Sequence, residues 1–237
     1  MKWILIPILS AMPLFALGQE WHSGPDKVAL VELYTSEGCS SCPPAERWLS
    51  SLKDKPGLFS EFVPVAFHVD YWDHIGWKDP FSDKAYSARQ RRYVREKAAS
   101  QVYTPGFIID GQEWRGWFRG QRQWKDPDKE SGVLNAKLQG DQLTVTFTQK
   151  QPATLNVAFL GMGISQQVDA GENRGRKLVH DFVVLDLVSE GGEGEWTLQL
   201  PPVPDAGQER TALAIWVSSP GSQQVLQTVG GYLLAGN

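Results

Sequence analysis

The hydrophobic pattern changes period near Lys125, and that change restricts the architecture more than any single motif does. Upstream, apolar runs alternate with helical stretches. "VALVELYT" (Val28 to Thr35) is almost continuously apolar, the pattern of a strand covered on both faces. "PPAERWLSSLKD" follows with Ala45, Trp48, Leu49 and Leu52 at helical spacing, so one face of a helix is expected to be buried. "FVPVAFHV" (Phe62 to Val69) reads as a second strand and "DKAYSARQRRYVREKA" (Asp83 to Ala98) as a second helix. "GFIIDG" and "WRGWF" read as short strands. Such alternation predicts parallel strands joined by right-handed crossovers. Downstream, the helical period is gone. "DQLTVTFTQ" sets Leu143, Val145 and Phe147 against Thr144, Thr146 and Thr148, a half-buried antiparallel strand. "TLNVAFLG", "KLVHDFVVLDLV", "GEWTLQLP" and "TALAIWVSS" continue as strands between Gly, Pro and Asp turns, as in a small β-sandwich. The polar "QWKDPDKESG" is the expected boundary between an α/β unit over 26–125 and an all-β, sandwich-like unit over 131–237.

The N-terminal "MKWILIPILSAMPLFALGQ" carries Lys2, then an apolar run to about Leu17, with small residues at Ala16 and Gly18. The run is shorter than the ~20 residues a spanning helix needs, and Pro7 and Pro13 interrupt it. It reads as a secretory signal over 1–18, cleaved near Gly18, which predicts an exported chain, periplasmic or secreted. No later stretch is long and apolar enough to predict stable membrane insertion. With 23 Lys and Arg against 27 Asp and Glu, the net charge of −4 gives no electrostatic case for nucleic acid as a partner.

Both cysteines fall in "GCSSCPP", as Cys39 and Cys42. Two cysteines cannot staple a chain of this length, so hydrophobic cores must hold the fold. The pair ends a buried strand and precedes a helix, where unpaired N–H groups and the helix dipole favour a thiolate. A C-x-x-C there serves thiol–disulfide exchange, metal binding or a structural disulfide, and spacing alone leaves all three open. Pro43 and Pro44 fit the first turn of a helix, while a residue before proline avoids the α region. The regular helix is therefore expected to start near Pro43 or Pro44, with Cys39 in the approach loop.

Several stretches taken together carry a resemblance: "VELYTSEGCSSCPPAE", "AFHVDYWDHIGWKDPFS", "RQRRY", "YTPGFIIDG" and "GENRGRKLVHDFVV". They resemble the family catalogued as domain of unknown function 1223, thioredoxin-like secreted proteins of bacteria. The resemblance implies an α/β thioredoxin-like domain followed by an all-β, sandwich-like C-terminal domain. It makes Cys39 the attacking thiol and Cys42 the resolving one. It matches Pro105 of "YTPGF" to the loop proline that thioredoxin-like proteins hold in cis beside the disulfide, with the Thr104 backbone placed to pair with an extended substrate. Glu32 interrupts "VALVELY" near the point where thioredoxins carry an acid. Buried there, it would have a raised pKa and could shuttle the proton of Cys42; at a strand end it would simply reach solvent. The implied function is an exported thiol–disulfide oxidoreductase or redox partner. Its partners would be protein or small-molecule thiols and disulfides, it would need no cofactor, and nothing in the sequence fixes an oligomeric state.

"HVDYWDHIGWKDPF" follows the second strand, and ligands of open α/β sheets sit beyond the carboxyl ends of such strands. Tyr71, Trp72 and Trp77 could wall a substrate groove, or pack as core under a loop. His68 and His74, with Cys39 and Cys42, form a soft S/N donor set for Cu(I) or zinc. That set supports an alternative metallochaperone reading, although similar copper chaperones place three residues between their cysteines. A binding module with a non-catalytic disulfide is the third reading. Arg89, Arg91, Arg92 and Arg95 are expected on a solvated helix face, and "GENRGRK" as a polar hairpin loop able to contact the redox domain.

Overall fold

A computed structural model describes residues 18–125 and 130–234, so the expected signal over 1–18 lies almost wholly outside the described residues. In chain order the elements begin with β1 (Gln19–His22), β2 (Ala29–Thr35), α1 (Pro43–Ser51), β3 (Phe62–His68), α2 (Lys84–Arg95), β4 (Gly106–Ile109) and β5 (Gln112–Glu113). Strands alone follow: β6 (Leu134–Gln139), β7 (Gln142–Phe147), β8 (Ala153–Met162), β9 (Ile164–Gln167), β10 (Lys177–His180), β11 (Val183–Gly192), β12 (Glu195–Gln199), β13 (Arg210–Ser218) and β14 (Val225–Tyr232). Short 3₁₀ turns occupy Leu52–Asp54, Asp70–Ile75 and Gly116–Arg119. The fold is thus mostly β, with few helices, none of them long and apolar enough to cross a membrane.

An eight-stranded mixed sheet, ordered β14-β13-β8-β11-β3-β2-β4-β5, forms the centre. The β2–β3 pair is parallel over its whole length, and β4 runs antiparallel to β2. The sheet passes from one stretch of sequence into the other where β11 lies parallel to β3, through Val183 opposite Ala66. The pattern change near residue 125 therefore marks a change of element type along the chain while the hydrogen-bonded sheet continues across it. A second, antiparallel sheet, β1-β6-β7-β12, covers part of the first.

Period-two alternation explains the long apolar runs of β8 and β13. Ala212, Ala214 and Trp216 enter the core that also holds Leu33, Phe67 and Tyr93, whereas Leu213, Ile215 and Val217 enter the core shared with β6, β7 and β12. Both faces of these strands are buried over most of their length, so apolar and small residues predominate, with Asn156 buried and Arg210 at an exposed end. In β7, by contrast, Leu143, Val145 and Phe147 are buried and Thr144 and Thr146 exposed, because its other face meets solvent.

Three local expectations change. "WRGWF" is no strand; its end forms the 3₁₀ turn Gly116–Arg119, and Trp117 packs with Trp48 and Phe107. "KLVHDFVVLDLV" is two strands, broken at Asp181 and Phe182, where Phe182 takes a positive φ of 61°. The Asp181 carboxylate explains the break: it accepts from Gly163 N at 3.0 Å and pairs with Lys53 at 2.7 Å. Arg89 leaves the expected solvated face altogether. Its side chain is 11 % exposed and forms a two-toothed pair with Glu32 of β2.

Candidate functional site

The helix α1 begins at Pro43 as expected, although Cys42 before it takes helical angles (φ −77°, ψ −37°) that a residue ahead of proline usually avoids. Pro43 and Pro44 occupy its first turn, Cys42 is the N-cap, and Cys39 sits in the turn ahead of it. Cys39 N donates to Ser36 O at 3.1 Å and Cys42 N to Cys39 O at 3.2 Å, which coils the loop tightly. The two sulfurs are joined as a disulfide, and Ser41 Oγ lies 3.3 Å from Cys39 Sγ. Cys39 is 1 % exposed and Cys42 fully buried.

What buries them comes from far along the chain. The Asn173 side chain donates to Glu37 O at 2.7 Å and to Cys39 O at 3.0 Å, and Glu172 accepts from Ser40 N at 3.0 Å. Residues of "GENRGRK" thus strap the cysteine loop. On the loop's other side, a Cβ on Gly38 would stand 3.0 Å from Trp72 Cβ, so only glycine lets that backbone lie so close. Trp72 in turn donates from Nε1 to Thr104 Oγ1 at 2.7 Å, next to Pro105, whose preceding peptide bond is cis. Thr104 and Trp72 are therefore linked to the cysteine loop by direct contacts. Tyr71 donates to Gln90 Oε1 at 3.0 Å, and Trp77 donates to Glu37 Oε2 at 2.7 Å. Both aromatics brace neighbouring groups, and both are only partly buried.

Glu32 does not face α1. Alternation along β2 puts it on the opposite side of the sheet from Thr35, which bonds Glu46 of α1. The Glu32 oxygens accept from Tyr34, Tyr93 and Arg89, all fixed donors. That environment corrects the expectation of a proton carrier for Cys42. The acid on the cysteine side is Glu46, one helical turn into α1, whose N–H donates to Cys42 O at 3.1 Å.

Glu46 belongs to a buried acid–imidazole cluster that sequence reasoning missed. His180 Nε2 is 2.9 Å from Glu37 Oε1, and its Nδ1 is 2.9 Å from Glu46 Oε2. The second approach has the distance of an ion pair but not the direction of a hydrogen bond. His68 Nδ1 is 2.7 Å from Asp79 Oδ2, which also accepts from Glu37 N at 2.8 Å. The two imidazoles meet edge to face with centroids 5.2 Å apart. Burial alone would lower the His180 pKa, but Glu46 and Glu37 outweigh it and push it up to about 10. Burial likewise opposes charge on His68, yet Asp79 holds its pKa above the ordinary value. His68 and His180 in turn hold Asp79 and Glu46 below the carboxylate range against burial.

The folded His180 pKa lies above the unfolded value of about 6.5. Its contribution to stability is whole below about pH 6.5 and lost as pH rises towards about 10. The urea midpoint of the wild type should fall across that window, and His180→Gln should flatten the fall. Equal slopes in the two proteins would show that His180 carries no such proton.

The donor set expected from Cys39, Cys42, His68 and His74 is not what converges here. His74 lies exposed in a 3₁₀ turn with Nδ1 2.9 Å from Tyr71 O, while Glu46, His68 and His180 each turn one ligand atom to within 4.8 Å of the others. A cavity of about 910 Å³, lined by Trp48, Leu52, Phe62, Arg122 and Trp124, opens at the far end of α1 from the cysteines. Lys55 and Glu61 also line it, and neither cysteine does. Of the residues missed, Glu37, Glu46, Asp79, Asn173 and His180 all stand inside the motif stretches singled out above. The readable sign was charge or amide set in apolar or Gly-rich context, as in "KLVHDFVV".

Among solved structures, protein AGR_C_4864 from Agrobacterium tumefaciens aligns with a TM-score of 0.63 and 26% identity, covering 88% of this chain and 95% of that one. HBP35 of Porphyromonas gingivalis aligns with a TM-score of 0.53 and 11% identity, covering 88% and 76% of the two chains, a likeness of fold. No curated protein matches the sequence. The family model described as "Protein of unknown function (DUF1223)" matches residues 30–218, a span that contains the cysteine pair, the strap and the acid–imidazole cluster. This chain belongs to the DUF1223 family.

Proposed function

We propose that the protein is an exported thiol–disulfide oxidoreductase or redox partner built on a thioredoxin-like unit. The observation that carries this reading is the seat of the disulfide, at the carboxyl end of a central parallel strand and the N-cap of α1. The order β3-β2-β4-β5, with the first two strands parallel and the next antiparallel, supports the thioredoxin-like reading. So does Pro105 with its contact to the loop through Thr104 and Trp72. The apolar N-terminal run of the sequence supports export.

In the oxidising direction, a substrate thiolate attacks Cys39 Sγ, and Cys42 leaves as a thiolate that then takes a proton. The second substrate thiolate attacks the substrate sulfur of the mixed disulfide and releases Cys39. The substrate dithiol loses two electrons and two protons, and the protein gains them; the reverse sequence reduces a substrate disulfide. Because Cys39 is buried, attack requires the Asn173 strap to lift from the loop. Thr104, Tyr71, Trp72 and Trp77 would then border the incoming chain.

Cys42→Ser should trap a mixed disulfide through Cys39, seen as a reductant-sensitive adduct on a non-reducing gel. Cys39→Ser should trap none. If no adduct forms, and the wild type neither oxidises a model dithiol nor reduces a model disulfide, the pair is structural and the binding-module reading replaces this one.

A further inference from the structure

Glu46, His68 and His180 lie away from any step in the thiol exchange above, yet their arrangement has a chemistry of its own. Each imidazole turns one nitrogen to a carboxylate, His68 Nδ1 to Asp79 at 2.7 Å and His180 Nε2 to Glu37 at 2.9 Å. Against an ionised acceptor, those nitrogens carry the N–H. Of the opposite nitrogens, His68 Nε2 is buried without a hydrogen-bond partner among the described residues, and His180 Nδ1 meets Glu46 Oε2 at 2.9 Å but off the direction of a hydrogen bond. A buried ring nitrogen left as His68 Nε2 is costs about 1–3 kcal/mol and needs a reason. Metal-ligating histidines have this very disposition, one nitrogen on the ion and the other fixed by a carboxylate behind it.

We propose that Glu46, His68 and His180 form a binding site for a divalent first-row transition ion, with zinc the best-suited probe. The ligands would be Glu46 Oε2, His68 Nε2 and His180 Nδ1, drawn from α1, β3 and β10. Three points support this beyond the donor count. First, the ligand atoms lie within 4.8 Å of one another, and typical bonds of about 2.0–2.2 Å from each require only small side-chain shifts. Second, Thr35 fixes the other Glu46 oxygen, so the first ligands are all held from behind, by Asp79, Glu37 and Thr35. Third, the charge of the surroundings favours a cation. Glu37, Glu46 and Asp79 bring three carboxylates into a space where none is more than 6 % exposed. One divalent cation offsets two of those three negative charges in a place that water does not reach.

The donor types select the ion. Two imidazoles and a carboxylate suit zinc and its divalent neighbours, whereas Cu(I) prefers thiolates. Because the ligands do not include a sulfur, the site stands independently of the cysteine pair. It survives if the redox reading fails, and the two fail in separate experiments.

The full chain, refolded with equimolar Zn²⁺ and desalted, should retain about one zinc per chain by elemental analysis. The same chain loaded with Co²⁺ should show visible ligand-field bands and no thiolate charge-transfer band in the near ultraviolet. A Cys39→Ser, Cys42→Ser double variant should bind unchanged. His68→Gln and His180→Gln should each weaken binding at least about 100-fold, and Asp79→Asn, acting from behind His68, about 10–100-fold. No retained metal, a thiolate band, or tight binding in a folded His180→Gln variant would each overturn the assignment. The cobalt spectrum needs no variant, so a substitution that unfolds the chain does not spare the proposal.

Discussion

Replacing Arg89 with methionine should lower the unfolding free energy by about 3–5 kcal/mol, the usual cost of stranding one half of a buried ion pair. Glu32, with no exposed surface, sits within the central sheet. Arg89 Nε and Nη2 reach its two oxygens at 2.9 and 3.0 Å, and Tyr34 and Tyr93 donate to them as well. The guanidinium also lies over Phe67, Tyr93 and Trp216, 5.2–5.6 Å from the three ring centroids. Methionine fills much of the space but leaves the carboxylate without its cation. Urea unfolding should show a lower midpoint with an unchanged slope. Adding Glu32→Gln to the variant should recover part of the loss, since it removes the stranded charge. A loss below about 1 kcal/mol would mean that Glu32 finds water or another partner.

Asn173→Ala should act on the disulfide rather than on the cores. Its amide serves two buried carbonyls, those of Glu37 and Cys39, and nothing else in the strap replaces it. The substitution should cost about 1–3 kcal/mol, and most of that should appear as easier local opening of the cysteine loop. Each 1.4 kcal/mol removed from the opening cost speeds attack about tenfold. Reduction of the Cys39–Cys42 bond by a small dithiol should therefore run about tenfold faster or more in the variant. An unchanged rate alongside a lowered global stability would show that the strap does not gate the disulfide.

Much of the frame was legible. β2, β3, α1 and α2 follow from apolar runs and helical spacing, because those periods report burial directly. The start of α1 at Pro43 was legible for a different reason, since proline lacks an N–H and fits the first turn of a helix without any tertiary partner. β1, β5, β6, β9 and β14 went unread. β6, "LNAKLQ", alternates over too few strongly apolar residues, and β14, "VLQTVGGY", mixes glycine and glutamine. Both are strands because neighbours hydrogen-bond to them, which a propensity cannot report. The arginines of α2 show the same limit. Helical spacing placed Arg89 on a face, but the electrostatic partner that pulls it inward comes from β2, 57 positions earlier.

The site divides along the same line. Sequence alone determined where the cysteines would sit, at the junction of a buried strand and a proline-started helix, because both neighbours act over a few residues. It also drew attention to His68, Trp72, Thr104 and Pro105, through their motif stretches. Only the tertiary structure decided that Glu46 rather than Glu32 lies on the cysteine side of the sheet, that Asn173 ties down a loop 134 positions away, and that His180 joins His68 between three carboxylates. The physical reason is reach. Backbone stereochemistry and periodic burial act within one element, whereas hydrogen bonds and charge pairs act over about 3 Å of space, whatever the distance along the chain.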